Sequence, residues 1–312
     1  MTAIASTPQV SLKEHLDHLY ETFDRSWLSP DPLEIPHRYA DPGDREIVAF
    51  YASGLAYGRV DGILRSLERL MGVLGDHPAA FVRNFDFARD RNRFRGFVHR
   101  FHGPREMALL NEILRRALDE SGTLGASFQR EFDPGDDDTG PALSRFCARR
   151  TDAARLPRGP GVVNGRLAPG SPVRLFFSSP ANGSACKRLN LFLRWMVRRE
   201  GGIDLGLWAG IPPARLVMPL DTHVARIARY VGLSSRTTAD WRMALEVTHA
   251  LRRFDPADPV KYDFSLCHLG MMGGCGFGTD SRQHVCQLAG VCQAKPGRFT
   301  NYNPRRRTKR TA

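Results

Sequence analysis

Apolar residues along this chain recur at intervals of three and four over most of its length, and strand signals are weak. Ser11 with Glu14 reads as a capping box opening a helix that carries Leu12, Leu16, Leu19, Tyr20 and Phe23 on one face. Asp44 is the expected start of a second helix through Ile47, Val48, Tyr51 and Leu55. Gly58 interrupts it, and Ile63, Leu64, Leu67, Leu70 and Met71 make a third stripe. Glu106 to Leu118 is expected to be helical, with Met107, Leu110, Ile113 and Leu114 together. From about Phe132 to Pro172, glycine, proline and aspartate break the pattern into loops around one short helix near Leu143 to Ala153. Periodicity then returns. Leu189, Phe192, Leu193, Met196 and Val197 share one face, and Val224, Ile227, Ala228 and Val231 another. A further helix from about Ala239 to Phe254 should bury Trp241, Leu245 and Leu251. No internal repeat is evident. The fold class is therefore all-α.

Composition narrows the setting. The 312 residues suffice for one large domain or two lobes, and 42% hydrophobic content is ordinary for a folded chain. No apolar run reaches membrane-spanning length, and Met1 to Val10 lacks a charged n-region and an apolar h-region. The expected location is the cytoplasm, with no membrane partner. The formal charge of +12, from 45 basic against 33 acidic residues, favours polyanionic partners. An arginine-rich background composition produces the same balance without function. Charge alone suggests nucleic acid and does not establish it.

Candidate chemistry concentrates between about residues 179 and 233. Pro180, Asn182 and Gly183 form a turn that opens into an amphipathic helix, whose free N–H groups suit a phosphate oxygen. Arg188 adds positive charge there. Lys187 stands in the first turn among cations, a placement that lowers a lysine pKa and, with burial, yields the neutral amine of a Schiff-base nucleophile. Asp221 follows 34 positions later in "PLDTHVARIARYVGL". By geometry alone Asp221 is a helix N-cap and Lys187 a solvated lysine, and nothing in the periodicity couples them.

The order hairpin, lysine, amphipathic helix and "LDTHVARIARYVGL" resembles the helix-hairpin-helix base-excision glycosylases. Its long Lys-to-Asp spacing is nearest the archaeal 8-oxoguanine DNA glycosylase branch. "SACKRLNLFLRWMVRR" also looks like a related uncharacterised bacterial family. The resemblance covers about fifty-five residues. It implies a two-lobed helical bundle with an inter-lobe cleft over residues 1–298. By composition alone, "NPRRRTKRTA" reads as a basic, disordered tail, set at 299–312. It implies Lys187 as nucleophile at the sugar C1′ and Asp221 as the carboxylate assisting base departure. Asn182, Gly183, Ser184 and Arg188 would contact the DNA backbone, although Asn182-Gly183-Ser184 stands where the family carries G-x-G. The implied reaction is excision of a damaged base from double-stranded DNA with lyase activity, an oxidised purine such as 8-oxoguanine being the expected substrate.

Four of six cysteines, Cys267, Cys275, Cys286 and Cys292, crowd the C-terminal region with C-x7-C-x10-C-x5-C spacing. In a cytoplasmic chain this points to metal rather than disulfides. Glycosylases similar to endonuclease III carry a [4Fe–4S] cluster at C-x6-C-x2-C-x5-C, of which the last interval matches and the middle one does not. Zinc, with His268 or His284 replacing a cysteine, and no metal at all are the alternatives. Cys147 and Cys186 are expected to be unliganded, and His223 and His268 structural. Trp195, Trp208, Trp241, Phe50, Tyr51 and Tyr57 are candidate base-stacking rings, each more simply read as core. Two other readings remain open: a non-catalytic helix-hairpin-helix DNA-binding module, and an iron–sulfur redox or sensor protein.

Overall fold

A computed structural model describes residues 11–152, 156–271, 275 and 286–293. The N-terminal decapeptide, the tail at 299–312 and His284 lie outside the described residues. The chain is all-α: its described strands are the two-residue pieces β1 (Val162–Val163) and β2 (Arg166–Leu167), paired antiparallel.

Twelve α-helices carry the described fold: α1 (Leu12–Thr22), α2 (Pro42–Gly54), α3 (Val60–Leu74), α4 (Pro78–Arg83), α5 (Phe87–Asp90), α6 (Pro104–Ser121), α7 (Leu124–Gln129), α8 (Gly140–Asp152), α9 (Lys187–Val197), α10 (Thr222–Tyr230), α11 (Trp241–Arg252) and α12 (Asp263–Met271). The capping box at α1 forms, with Glu14 N–H on Ser11 Oγ and Ser11 N–H on the Glu14 carboxylate. α2 begins earlier than Asp44. Asp41 is its N-cap, and Pro42 sits in the first turn, where its missing N–H costs nothing. Asp44 instead accepts the Ala79 N–H at 2.7 Å, fastening α4 to α2.

The packing divides the chain into two units. The larger holds residues 24–220 and 238–260. Its core is aromatic: Phe50 of α2 lies edge-on to Phe192 of α9 at 5.3 Å, and Trp208 meets Phe192 and Phe128 at 5.2 and 5.8 Å. Trp195, Trp208, Phe50 and Tyr51 are buried, as the core reading holds. Trp241 and Tyr57 are only half-buried. Trp241 covers Gly140 at the start of α8, where a Cβ would fall 2.5 Å from its ring. Leu251 is buried as expected, but Leu245 is half-buried as well, and Met243 and Val247 turn inward with Leu251.

The smaller unit holds, among the described residues, 11–23, 221–237, 261–271, 275 and 286–293. Within it α10 and α1 pack on α12. Gly270 of α12 passes close to His223, since a Cβ there would fall 2.6 Å from the His223 Cβ. His268 is buried against Phe264 and Phe23, and its Nδ1 meets the Phe264 carbonyl at 2.9 Å.

Candidate functional site

The turn before α9 is built by local backbone rules. Pro180–Asn182 forms a 3-10 turn with Ser179 as its cap, and Gly183 ends it in the left-handed region at φ 72°. Nothing lies within 4 Å of a Cβ placed on Gly183, so the backbone there is open to approach. The turn is tied to α11, because Trp241 N–H bonds the Gly183 carbonyl at 3.1 Å. The arm before it is a six-residue 3-10 helix, Pro172–Phe177, a geometry that Pro172 at its first position favours.

Lys187 is the first residue of α9, where the sequence places it. The preceding residue, Cys186, is also left-handed at φ 50°, and it caps α9 without a side-chain hydrogen bond. The first amides of α9 are therefore not claimed by a side-chain cap. Lys187 Nζ donates to the Ala56 carbonyl at 3.0 Å, and no carboxylate of the larger unit pairs with it. Arg188 reaches the Gly54 carbonyl at 3.1 Å and the Leu175 carbonyl, and its guanidinium lies 4.9 Å over the Tyr57 ring. Burial lowers the Arg188 pKa. A depression of 290 Å³ opens at this point, lined by Leu175, Ser178, Ser184, Lys187, Arg188 and Ala239 among others. Asn182 and Gly183 are exposed beside it. Cys186 is buried and donates to the Ser178 carbonyl at 3.1 Å; burial pushes its thiol up to about 12. Cys147 is buried likewise. Both are packing residues with poorly ionisable thiols.

Asp221, in the smaller unit, is the N-cap of α10. One oxygen, Oδ1, accepts the His223 and Val224 N–H groups at 2.8 and 2.7 Å. The other, Oδ2, accepts the Cys267 thiol at 3.3 Å. The backbone cap and the thiol contact thus fall to different oxygens of one carboxylate.

Cys267 donates to Asp221, and Cys275 hydrogen-bonds Cys286 and lowers its thiol pKa to about 7, with Cys292 opposing from nearby. All six cysteines of the chain are free thiols. Among the described residues, no three His, Cys, Asp or Glu side chains are grouped so as to hold a metal ion.

Residues 31–272 match the family model described as a protein of unknown function, DUF2400. The chain belongs to this family. No curated protein and no solved structure matches it. The DUF2400 match contains Lys187, Asp221 and Cys267, and Cys275, Cys286 and Cys292 lie beyond it. No helix among the described residues is long and apolar enough to cross a membrane.

Sequence periodicity gave no notice of a second cluster in the larger unit. His99 and His102 exchange backbone hydrogen bonds at 2.8 and 2.9 Å, closing a two-residue turn that carries Arg100 and Phe101 at its tip. Phe101 is 61% exposed and Val98 64% exposed. The visible signal is "FVHRFHGP", where aromatic and basic residues interleave just before a helix-starting proline.

Proposed function

We propose that this protein is a base-excision DNA glycosylase with abasic-site lyase activity, acting in double-stranded DNA on an oxidised purine such as 8-oxoguanine. The observation that carries the reading is the placement of Lys187. It opens α9 directly behind an unfilled left-handed turn, on the edge of a cationic depression, with a backbone carbonyl rather than an acid as partner in its unit. Asp221, held at the start of α10 with a fixed orientation, supplies the second residue the resemblance requires.

The chemistry follows from these residue types. Extrusion of the lesion from the stack makes its sugar reachable. As the C1′–N bond breaks, its electron pair leaves with the base, and the positive charge growing on the sugar is stabilised by the Asp221 carboxylate. Lys187 Nζ, deprotonated, forms the bond to C1′ and the sugar ring opens to an iminium. Loss of a C2′ proton then expels the 3′ phosphate by β-elimination, and water hydrolyses the iminium to release Lys187. Asn182, Gly183, Ser184 and Arg188 hold the backbone phosphates in this reading.

Cys267, Cys275, Cys286 and Cys292 enter the proposal as a donor set for a structural [4Fe–4S] cluster, with zinc as second candidate. A thiol near its thiolate form, as at Cys286, suits ligation. Four-thiolate binding requires Cys267 to give up its bond to Asp221, and no chemical step runs through the group. Absorbance near 400 nm with iron, sulfide and zinc analysis decides between cluster, zinc and neither. Free thiols also fit the reducing cytoplasm, where we place the protein.

The test is borohydride trapping on duplexes containing 8-oxoguanine or an abasic site, beside Lys187→Gln and Asp221→Asn. A covalent adduct lost in the lysine variant supports the reading, and the lesion that yields it identifies the substrate. Absence of adduct and of nicking on every lesion, from folded protein that still binds duplex, favours the non-catalytic binding module.

A further inference from the structure

We propose that the Arg100–Phe101 turn and Tyr57 form a stacking platform for an unpaired base of a nucleic acid strand. The Tyr57 and Phe101 rings are parallel within 7°, their centroids 6.5 Å apart. Arg188 lies 4.9 Å over Tyr57, and Arg100 lies 5.8 and 6.0 Å over Tyr57 and Phe101. Arg100 is held at φ 54°, a left-handed conformation that a non-glycine residue seldom adopts. The turn thus presents Phe101 outward at 61% exposure, although burial would stabilise it.

The platform is braced from behind. Tyr57 OH lies 2.7 Å from His102 Nδ1, and His102 Nε2 lies 3.0 Å from the Pro172 carbonyl. Only an N–H can face that carbonyl, so Nδ1 is the acceptor and the tyrosine O–H donates to it. Next to the rings is a 520 Å³ groove lined by Gly58, Arg59, Arg65, Val98 and Arg100 among others. Asp61 neutralises Arg59 and Arg65 through contacts of 3.2 and 3.4 Å. Among the described residues, Arg100 and Arg188 have no carboxylate partner. Arg188 is half-buried, held by the Gly54 and Leu175 carbonyls and the Tyr57 ring, so its charge is uncompensated and open to an anion from outside. A ligand with flat π faces joined by anionic links meets both demands, and a strand with an exposed base is that chemistry. The chain's net charge of +12 favours the same partner over an apolar protein surface.

This inference rests on the nucleic-acid part of the proposed function and not on its catalytic part. The experiment is equilibrium binding, by fluorescence anisotropy, of a labelled intact duplex, the same duplex with a one-nucleotide bulge, and the single strand. Wild type should prefer the bulged duplex and single strand, and Phe101→Ala should weaken those two by about tenfold while leaving intact duplex unchanged. Phe101→Trp should restore the preference, with its indole emission quenched on binding. Phe101 is exposed, so circular dichroism should show both variants folded. An unchanged preference in Phe101→Ala overturns the platform, even where borohydride adducts form. A Phe101-dependent preference without any adduct sustains it while the glycosylase reading falls. Binding to phosphatidylglycerol vesicles but to none of the oligonucleotides overturns both.

Discussion

The Cys267 thiol donates to Oδ2 of Asp221 at 3.3 Å, while Oδ1 of the same carboxylate caps α10 through two backbone N–H groups. The two oxygens can therefore be probed separately. Asp221→Ala removes the cap and should cost about 1–2 kcal/mol in urea unfolding. Asp221→Asn keeps a capping oxygen and should lose only a few tenths of that, while the base excision we propose should fall by about 100-fold or more. Equal loss of stability in both variants would show that the cap is not what the aspartate contributes.

Lys187 Nζ holds the Ala56 carbonyl at 3.0 Å across 131 positions of sequence. A half-buried hydrogen bond of this kind contributes about 1 kcal/mol. Lys187→Gln should therefore change unfolding free energy by no more than about that amount, since its amide N–H can replace part of the bond. Borohydride trapping should disappear completely. Trapping that persists in Lys187→Gln assigns the nucleophile to another amine.

Much of this was legible because the signals were local. Capping box, amphipathic stripes and the Lys187 and Asp221 helix starts depend on neighbours within four residues, and α1, α9 and α10 lie where periodicity sets them. The start of α2 was misplaced because Asp41 and Asp44 are both competent caps. The choice fell to Asp44's long-range partner, the Ala79 N–H. Short helices such as α4, α5 and α7 carry too few turns for a stripe. Tyr57 looked like core because it sits among apolar residues, yet its exposure is set by His102 and Pro172, 45 and more positions away. The Cys267 contact to Asp221 was also out of reach, since cysteine spacing carries no information about a carboxylate 46 positions away.

The His102 imidazole is pushed down from 6.5 to about 4, chiefly by burial, against the opposing hydrogen bond to the Pro172 carbonyl, with Arg188 and His99 adding to the effect and Glu106 opposing it weakly. A depressed histidine binds fewer protons folded than unfolded, so it contributes stability above pH 6.5 that is lost as pH falls toward 4. A shift of this size corresponds to about 3 kcal/mol over that window. Proton NMR should find His102 still neutral at pH 5, and unfolding of His102→Asn should be flatter than wild type between pH 6.5 and 4. A His102 titration near 6.5 would mean that burial does not keep the ring neutral, and the Tyr57 hydroxyl would then lose its fixed acceptor.

Glu46 of α2 is 5% exposed, and its carboxylate accepts Leu124 N–H and Gly125 N–H at 2.8 Å each and Trp208 Nε1–H at 2.7 Å. Gly125 is required beside it, because a Cβ there would fall 2.7 Å from Trp208 Nε1. Burial raises the Glu46 pKa above its ordinary 4.5 despite the three donors. Folded protein then holds this proton more tightly than the unfolded chain, so the group's pH-linked contribution is fully present below about pH 4.5 and is lost as pH rises through the raised value. Measured by urea unfolding from pH 4 to 7, wild type should lose stability relative to Glu46→Gln, which cannot titrate. Glu46→Ala should cost about 3–5 kcal/mol at pH 4, because three buried donors lose their acceptor, and less as the pH rises and wild type loses its own contribution. If wild type and Glu46→Gln run parallel across the range, the carboxylate is not desolvated as its burial implies, and the donors alone govern its ionisation.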